Sequence, residues 1–200
     1  LPVNVYYHFY SGERLASVRA VQAVYDWCLK QPLCWLHVVE YVAAVRGFMA
    51  ARTGRTEDGG YWVEDYGGCR TLRLDGCGRQ VDVERSKGVI GFTHYAGSLY
   101  VSLAPGRRAE ARLSDRAPTR PCLLRSTSLL RNVESDGKGW SAEAREYAPG
   151  AVEVQGWTPG AEVKARVGRS RETLRADGEG RVKVAIPRGS GDWVEVRLAP

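Results

Sequence analysis

Between residues 54 and 60 this chain changes the period at which its apolar residues recur, and that change limits what it can fold into. Upstream, Leu15, Val18, Val21, Tyr25, Cys28 and Leu29 return every three or four positions, and so do Tyr41, Val45 and Phe48. That spacing puts side chains on one face of a helix. Downstream, runs such as Thr71-Leu72-Arg73-Leu74 and Leu99-Tyr100-Val101-Ser102-Leu103 alternate apolar and polar residues, the two-residue period of a strand. Gly67-Gly68, Gly76-Cys77-Gly78, Thr158-Pro159-Gly160 and Asp177-Gly178-Glu179-Gly180 separate these runs as turns.

The upstream part reads as β-α-β-α over residues 1–56. Val3-Asn4-Val5-Tyr6-Tyr7-His8-Phe9-Tyr10-Ser11 is strand-like, and a helix follows to about Lys30. Gln31-Pro32 ends that helix, because proline lacks a backbone donor and restrains the residue before it. Cys34-Trp35-Leu36-His37-Val38 is a second short apolar run, and a second helix extends from Glu40 to about Arg52, with Gly54 as its stop. Strands joined by a helix are parallel, and parallel strands are covered on both faces. Two strands and two helices cannot provide that cover. Further strands are therefore expected before residue 1, making the chain the tail of something larger.

Residues 57–200 carry about ten short alternating segments and no helical period, which predicts an antiparallel β-sandwich of Greek-key or jelly-roll type. The expected fold class is α+β: a short β-α-β-α fragment followed by that sandwich.

Composition narrows the function classes. A hydrophobic share of 44% and a charged share of 26% are those of a globular protein, and no apolar run nears the roughly 18 residues of a membrane span. The net charge of +6 comes from arginines standing singly on alternating positions. Without a dense basic run interleaved with aromatics, no nucleic-acid partner is expected. The five cysteines form no CxxC pair, so metal-ligand spacing is absent. Cys69 and Cys77 flank one strand-like segment and could meet if oxidised.

If the opening stretch is a strand, Asn4, Tyr6, His8 and Tyr10 share one face and Val3, Val5, Tyr7 and Phe9 the other. His8 then lies near the C-terminal end, where α/β folds place their chemistry. By its residues alone it reads first as a core histidine hydrogen-bonded to its neighbours. Glu40 follows the second strand and either lines such a site or caps the next helix. His37 and His94 read as packed or surface histidines. Trp62, Trp140, Trp157 and Trp193 read as core or as a sugar-binding platform.

The opening Val5-Tyr6-Tyr7-His8-Phe9-Tyr10-Ser11, followed by a helix led by Ser17, resembles the last motif of NodB-related polysaccharide deacetylases. Glu40-Tyr41-Val42, Leu72-Arg73-Leu74 and Ser86-Lys87-Gly88-Val89-Ile90-Gly91-Phe92 are similar to segments of the C-terminal region of PelA-type exopolysaccharide deacetylases. The resemblance implies that residues 1–56 end a deacetylase-like α/β barrel and that His8 is the general acid for removal of N-acetyl groups. Tyr6, Tyr10 and Glu40 would then contact an N-acetylated amino-sugar polysaccharide, in a periplasmic or extracellular setting. The family's Asp-Asp and HxxxH metal motifs are missing from this sequence. The divalent metal and the base would come from an upstream segment or another chain, and this chain alone would be inactive. The competing expectations are a non-catalytic carbohydrate-binding or protein-docking module, and a purely structural sandwich.

Overall fold

In a computed structural model, which describes residues 3–145 and 147–200, the chain divides into two compact units, Leu1–Leu33 and Cys34–Pro200. Glu146, inside the stretch 140–147 read as a strand, lies outside the described residues.

In the first unit, a 3₁₀ turn at Phe9–Glu13 leads into helix α1, Leu15–Leu29. The strand expected at the opening is not formed. At His8 the backbone is extended (φ −86°, ψ 149°), but residues 3–8 pair with no strand among the described residues. At Phe9 the chain turns, and the Ser11 N–H donates to the His8 carbonyl at 2.9 Å. The correction has a simple cause: an extended segment becomes a strand only when a neighbour takes its backbone donors and acceptors. Helix α1 ends as expected, with the Lys30 N–H on the Trp27 carbonyl at 3.1 Å and Pro32 just beyond.

The second unit begins with an unpaired stretch at 34–37, with an extended backbone at His37, so the second expected strand is likewise not formed. Helix α2 follows at Val38–Ala50. Its position depends on glycine. A Cβ on Gly47 would lie 2.0 Å from the Tyr66 carbonyl oxygen, and one on Gly68 would lie 2.7 Å from the Ala43 carbonyl carbon. The helix therefore sits directly on the backbone of the turn after Tyr66. The period change at 54–60 falls within this unit.

Sixteen strands follow among the described residues, and no helix after Ala50. They are β1 (Arg52–Arg55), β2 (Tyr61–Glu64), β3 (Thr71–Asp75), β4 (Gln80–Val81), β5 (Val89–Tyr95), β6 (Ser98–Leu103), β7 (Arg108–Ala111) and β8 (Leu113–Ser114). The chain continues through β9 (Cys122–Ser126), β10 (Leu130–Ser135), β11 (Trp140–Arg145), β12 (Gly150–Gln155), β13 (Glu162–Val167), β14 (Ser170–Arg175), β15 (Val182–Ile186) and β16 (Trp193–Ala199). These strands form four sheets, ordered β1-β2-β7, β15-β12-β9-β5-β6-β3, β10-β11-β16-β13-β14 and β4-β8. The fold is thus α+β, with antiparallel pairing throughout except one parallel bridge, Gly91 to Leu123, that joins β5 to β9. Only glycine fits there, since a Cβ on residue 91 would lie 1.9 Å from the Leu123 carbonyl oxygen.

Two cores result. One gathers Tyr66, Phe92, Leu99, Val101 and Leu103 with their neighbours. The other gathers Trp140, Trp157, Val152, Val184, Val196 and Leu198, from the five-stranded sheet and the β9-β12-β15 half of the six-stranded one. Each fully buried side chain of this size contributes roughly 1.5–3 kcal/mol before chain entropy is charged against it. Cys69 and Cys77 are free thiols, as are the other three cysteines. Among the described residues no helix is long and apolar enough to cross a membrane.

Candidate functional site

The aromatic side chains at 6, 8 and 10 come together, but Phe9, expected on the opposite face, also meets Tyr10 edge-on at 5.8 Å, so the strand alternation itself does not hold. The His8 imidazole stacks on the Tyr10 ring, with centroids 4.8 Å apart and an interplanar angle of 9°. Its edge meets the Tyr6 ring at 5.2 Å and 74°. Tyr6 and His8 precede the turn and Tyr10 lies inside it, so the 3₁₀ turn, not strand alternation, brings the Tyr10 ring over His8. All three are exposed, Tyr6 at 77% and Tyr10 at 52%. The site is therefore an imidazole open to solvent beside two aromatic faces. An imidazole can donate or accept a proton near neutral pH, and a tyrosine ring offers a flat apolar surface with a polar rim. Beside this trio, the Tyr7 ring meets Tyr25 edge-on at 6.5 Å.

Glu40 belongs to the other unit and acts there as a cap. Its Oε2 accepts the His37 N–H at 2.8 Å, which satisfies a backbone donor at the start of α2 and places negative charge at the positive end of the helix. Its Oε1 accepts from the Tyr147 hydroxyl at 3.3 Å. The His37 ring meets Tyr147 edge-on at 4.4 Å. From Tyr147 the contacts continue outward: the Arg145 guanidinium lies 5.0 Å from the Tyr147 ring and 5.1 Å from Trp193, and Arg131 covers Trp193 at 4.3 Å. Sequence reasoning missed this ladder. Tyr147 lies 107 positions from Glu40, and nothing local in either stretch indicates that they meet.

The tryptophans divide. Trp140 and Trp157 are core residues, 1% and 9% exposed, so neither can serve as a sugar platform. Trp62 and Trp193 are half-buried, and Trp193 is taken up by the two arginines. His94 lies beside Phe92, with centroids 6.5 Å apart.

The divalent metal implied by the deacetylase resemblance finds no fit in these residues. Among the described residues, no three His, Cys, Asp or Glu side chains come together. The three histidines contact aromatic rings instead, so no step through a metal follows from this chain's own side chains. No family model, no curated protein and no solved structure matches this chain.

Proposed function

We propose that this chain is the C-terminal part of a metal-dependent exopolysaccharide de-N-acetylase of the periplasm or cell exterior. In this reading His8 gives a proton to the amine that leaves when an N-acetyl group is cut. Tyr6 and Tyr10 hold the sugar ring beside it. Residues 1–56 close a deacetylase-like barrel whose earlier strands, metal ligands and base lie in an upstream segment. The β-domain is an accessory β-sandwich. The observation that supports the reading is the trio itself: an accessible imidazole between two tyrosine rings combines a proton donor with flat surfaces suited to a pyranose. The unpaired stretches at 3–8 and 34–37, extended at His8 and His37, are also what strands without their neighbours would look like.

The test uses the longer protein that contains both segments, assayed for acetate release from an N-acetylated amino-sugar oligomer. His8→Ala should lower kcat by about 10²–10⁴-fold, the usual share of a general acid, with little change in KM. Unchanged turnover in a folded variant returns His8 to a structural role. The present chain alone, given zinc or cobalt, should release no more acetate than the metal blank.

A further inference from the structure

The five-stranded sheet turns one face inward to the core and the other to solvent, and the charges on its outer face are unevenly distributed. Register places Arg171 of β14 opposite Arg166 of β13, and Arg166 opposite Arg197 of β16. Three arginines thus stand abreast on adjacent strands about 4.8 Å apart. Lys164 and Arg175 share their face, so these three strands present five cations there against two carboxylates, Glu162 and Glu195. Glu195 is engaged by Arg166. Arg171 and Arg197 have no ion-pair partner among the described residues. Asp136, whose carboxyl feels Arg197, is already held by the backbone N–H groups of Lys138 and Gly139.

Elsewhere Arg79 pairs with Asp115, Arg107 with Asp65, Arg108 with Glu64 and Arg125 with Glu153, whereas this face sets three arginines in one row with a single ion pair among them. Like charges directly opposite across strands cost stability. Protection of a sheet edge explains a cation on β14, which is an edge strand, but not Arg197 on the central strand β16. A row of like charges held at such a cost is accounted for by an anion that spans it.

We propose that this face binds a carboxylate-bearing polysaccharide, a polyuronate. The guanidinium fork matches a carboxylate through two parallel hydrogen bonds, and a regular spacing of forks suits a polymer with regularly placed carboxylates. A single-stranded nucleic acid would want rings on which its bases can stack, and a membrane would want apolar side chains to insert. The outward positions of β13 and β14 are Glu162, Lys164, Arg166, Arg171, Thr173 and Arg175, which supply neither. The aromatics nearby, Trp193 and Tyr147, are already engaged, Trp193 by Arg131 and Arg145 and Tyr147 by Arg145. The proposal stands apart from the deacetylase reading, since it concerns the second unit and needs no catalysis.

The experiment is affinity electrophoresis and titration calorimetry of this chain with polygalacturonate, neutral dextran and single-stranded DNA, at low and high salt. Polygalacturonate should bind at low salt and weaken as salt rises, dextran should not bind, and DNA should bind at least several-fold more weakly. The double variant Arg171→Ser/Arg197→Ser should bind polygalacturonate about tenfold more weakly. Arg107→Ser, which removes an exposed arginine elsewhere, should leave binding unchanged. Both altered positions face solvent, so an unchanged far-UV circular dichroism spectrum will show that the fold is intact. DNA binding as strong as polygalacturonate binding, or equal losses in both variants, overturns the proposal.

Discussion

Replacing Gly47 by alanine sets two effects of opposite sign against each other. In a free helix the change is favourable, because glycine costs about 1 kcal/mol relative to alanine in a helix interior. In this protein the new Cβ would lie 2.0 Å from the Tyr66 carbonyl oxygen and 2.8 Å from its carbon. Ordinary contact begins at 3.4 Å, so going from 2.0 to 3.4 Å requires α2 and the turn to separate by about 1.4 Å. The obstacle is backbone, which cannot swing aside as a side chain can. Overpacking of this kind costs about 1–3 kcal/mol, enough to outweigh the helix gain. The separation also strains the Glu40–Tyr147 hydrogen bond at the other end of α2. Gly47 is the one buried residue of α2, and neither core contains a residue of that helix. The damage should therefore be local. Hydrogen exchange should show residues 38–50 losing about 5–30-fold in protection, the equivalent of 1–2 kcal/mol. The main thermal transition should move by less than about 2 °C. A Gly47→Ala variant with better-protected α2 amides would refute the docking geometry.

Two further perturbations test the β-domain. Gly91→Ala drives a Cβ into the Leu123 backbone at the bridge between the two halves of the six-stranded sheet, and should lower Tm by roughly 2–12 °C; an unchanged Tm would mean that β5 and β9 do not meet there. Burial pushes the Glu153 carboxyl up, but hydrogen bonding and charge from Arg125, with Lys183, pull it below its ordinary value of 4.5. A depressed folded-state pKa gives stability that is present above 4.5 and lost as pH falls through the lower folded value. Glu153→Gln should therefore be less stable than the parent at pH 7 in urea titrations, with the gap closing in acid; a gap that is constant with pH would contradict the ion pair.

Much of the β-domain was legible before any coordinates. Alternation and glycine turns announce antiparallel strands because the two-residue period is a direct consequence of the pleat, and Val163, Ala165 and Val167 are buried where alternation says they should be. The grouping of Tyr6, His8 and Tyr10 agrees with the sequence reading, but a 3₁₀ turn produces it and not a strand. Helices α1 and α2 followed from their period, but α2 ends at Ala50, and Gly54, read as its stop, lies in β1; the cap at Glu40 was one of two readings open for that residue. The number of strands was not legible, because pieces as short as Gln80–Val81 exist only through pairing with Leu113–Ser114.

Local sequence determined which residues are extended, which are helical and which side chains share a face, because those properties depend on neighbours two to four positions away. Tertiary structure decided everything that needs a distant partner. It withheld strand status from residues 3–8 and 34–37, which have the composition of strands but no ladder to join. It seated α2 on a turn through two glycines that sequence reading had passed over or taken for loop punctuation. It linked Glu40 to Tyr147 across 107 positions, and it set Arg171, Arg166 and Arg197 abreast from three separate strands. A backbone's period is written within a few residues, whereas the identity of the group that will meet it is set only when the chain closes on itself.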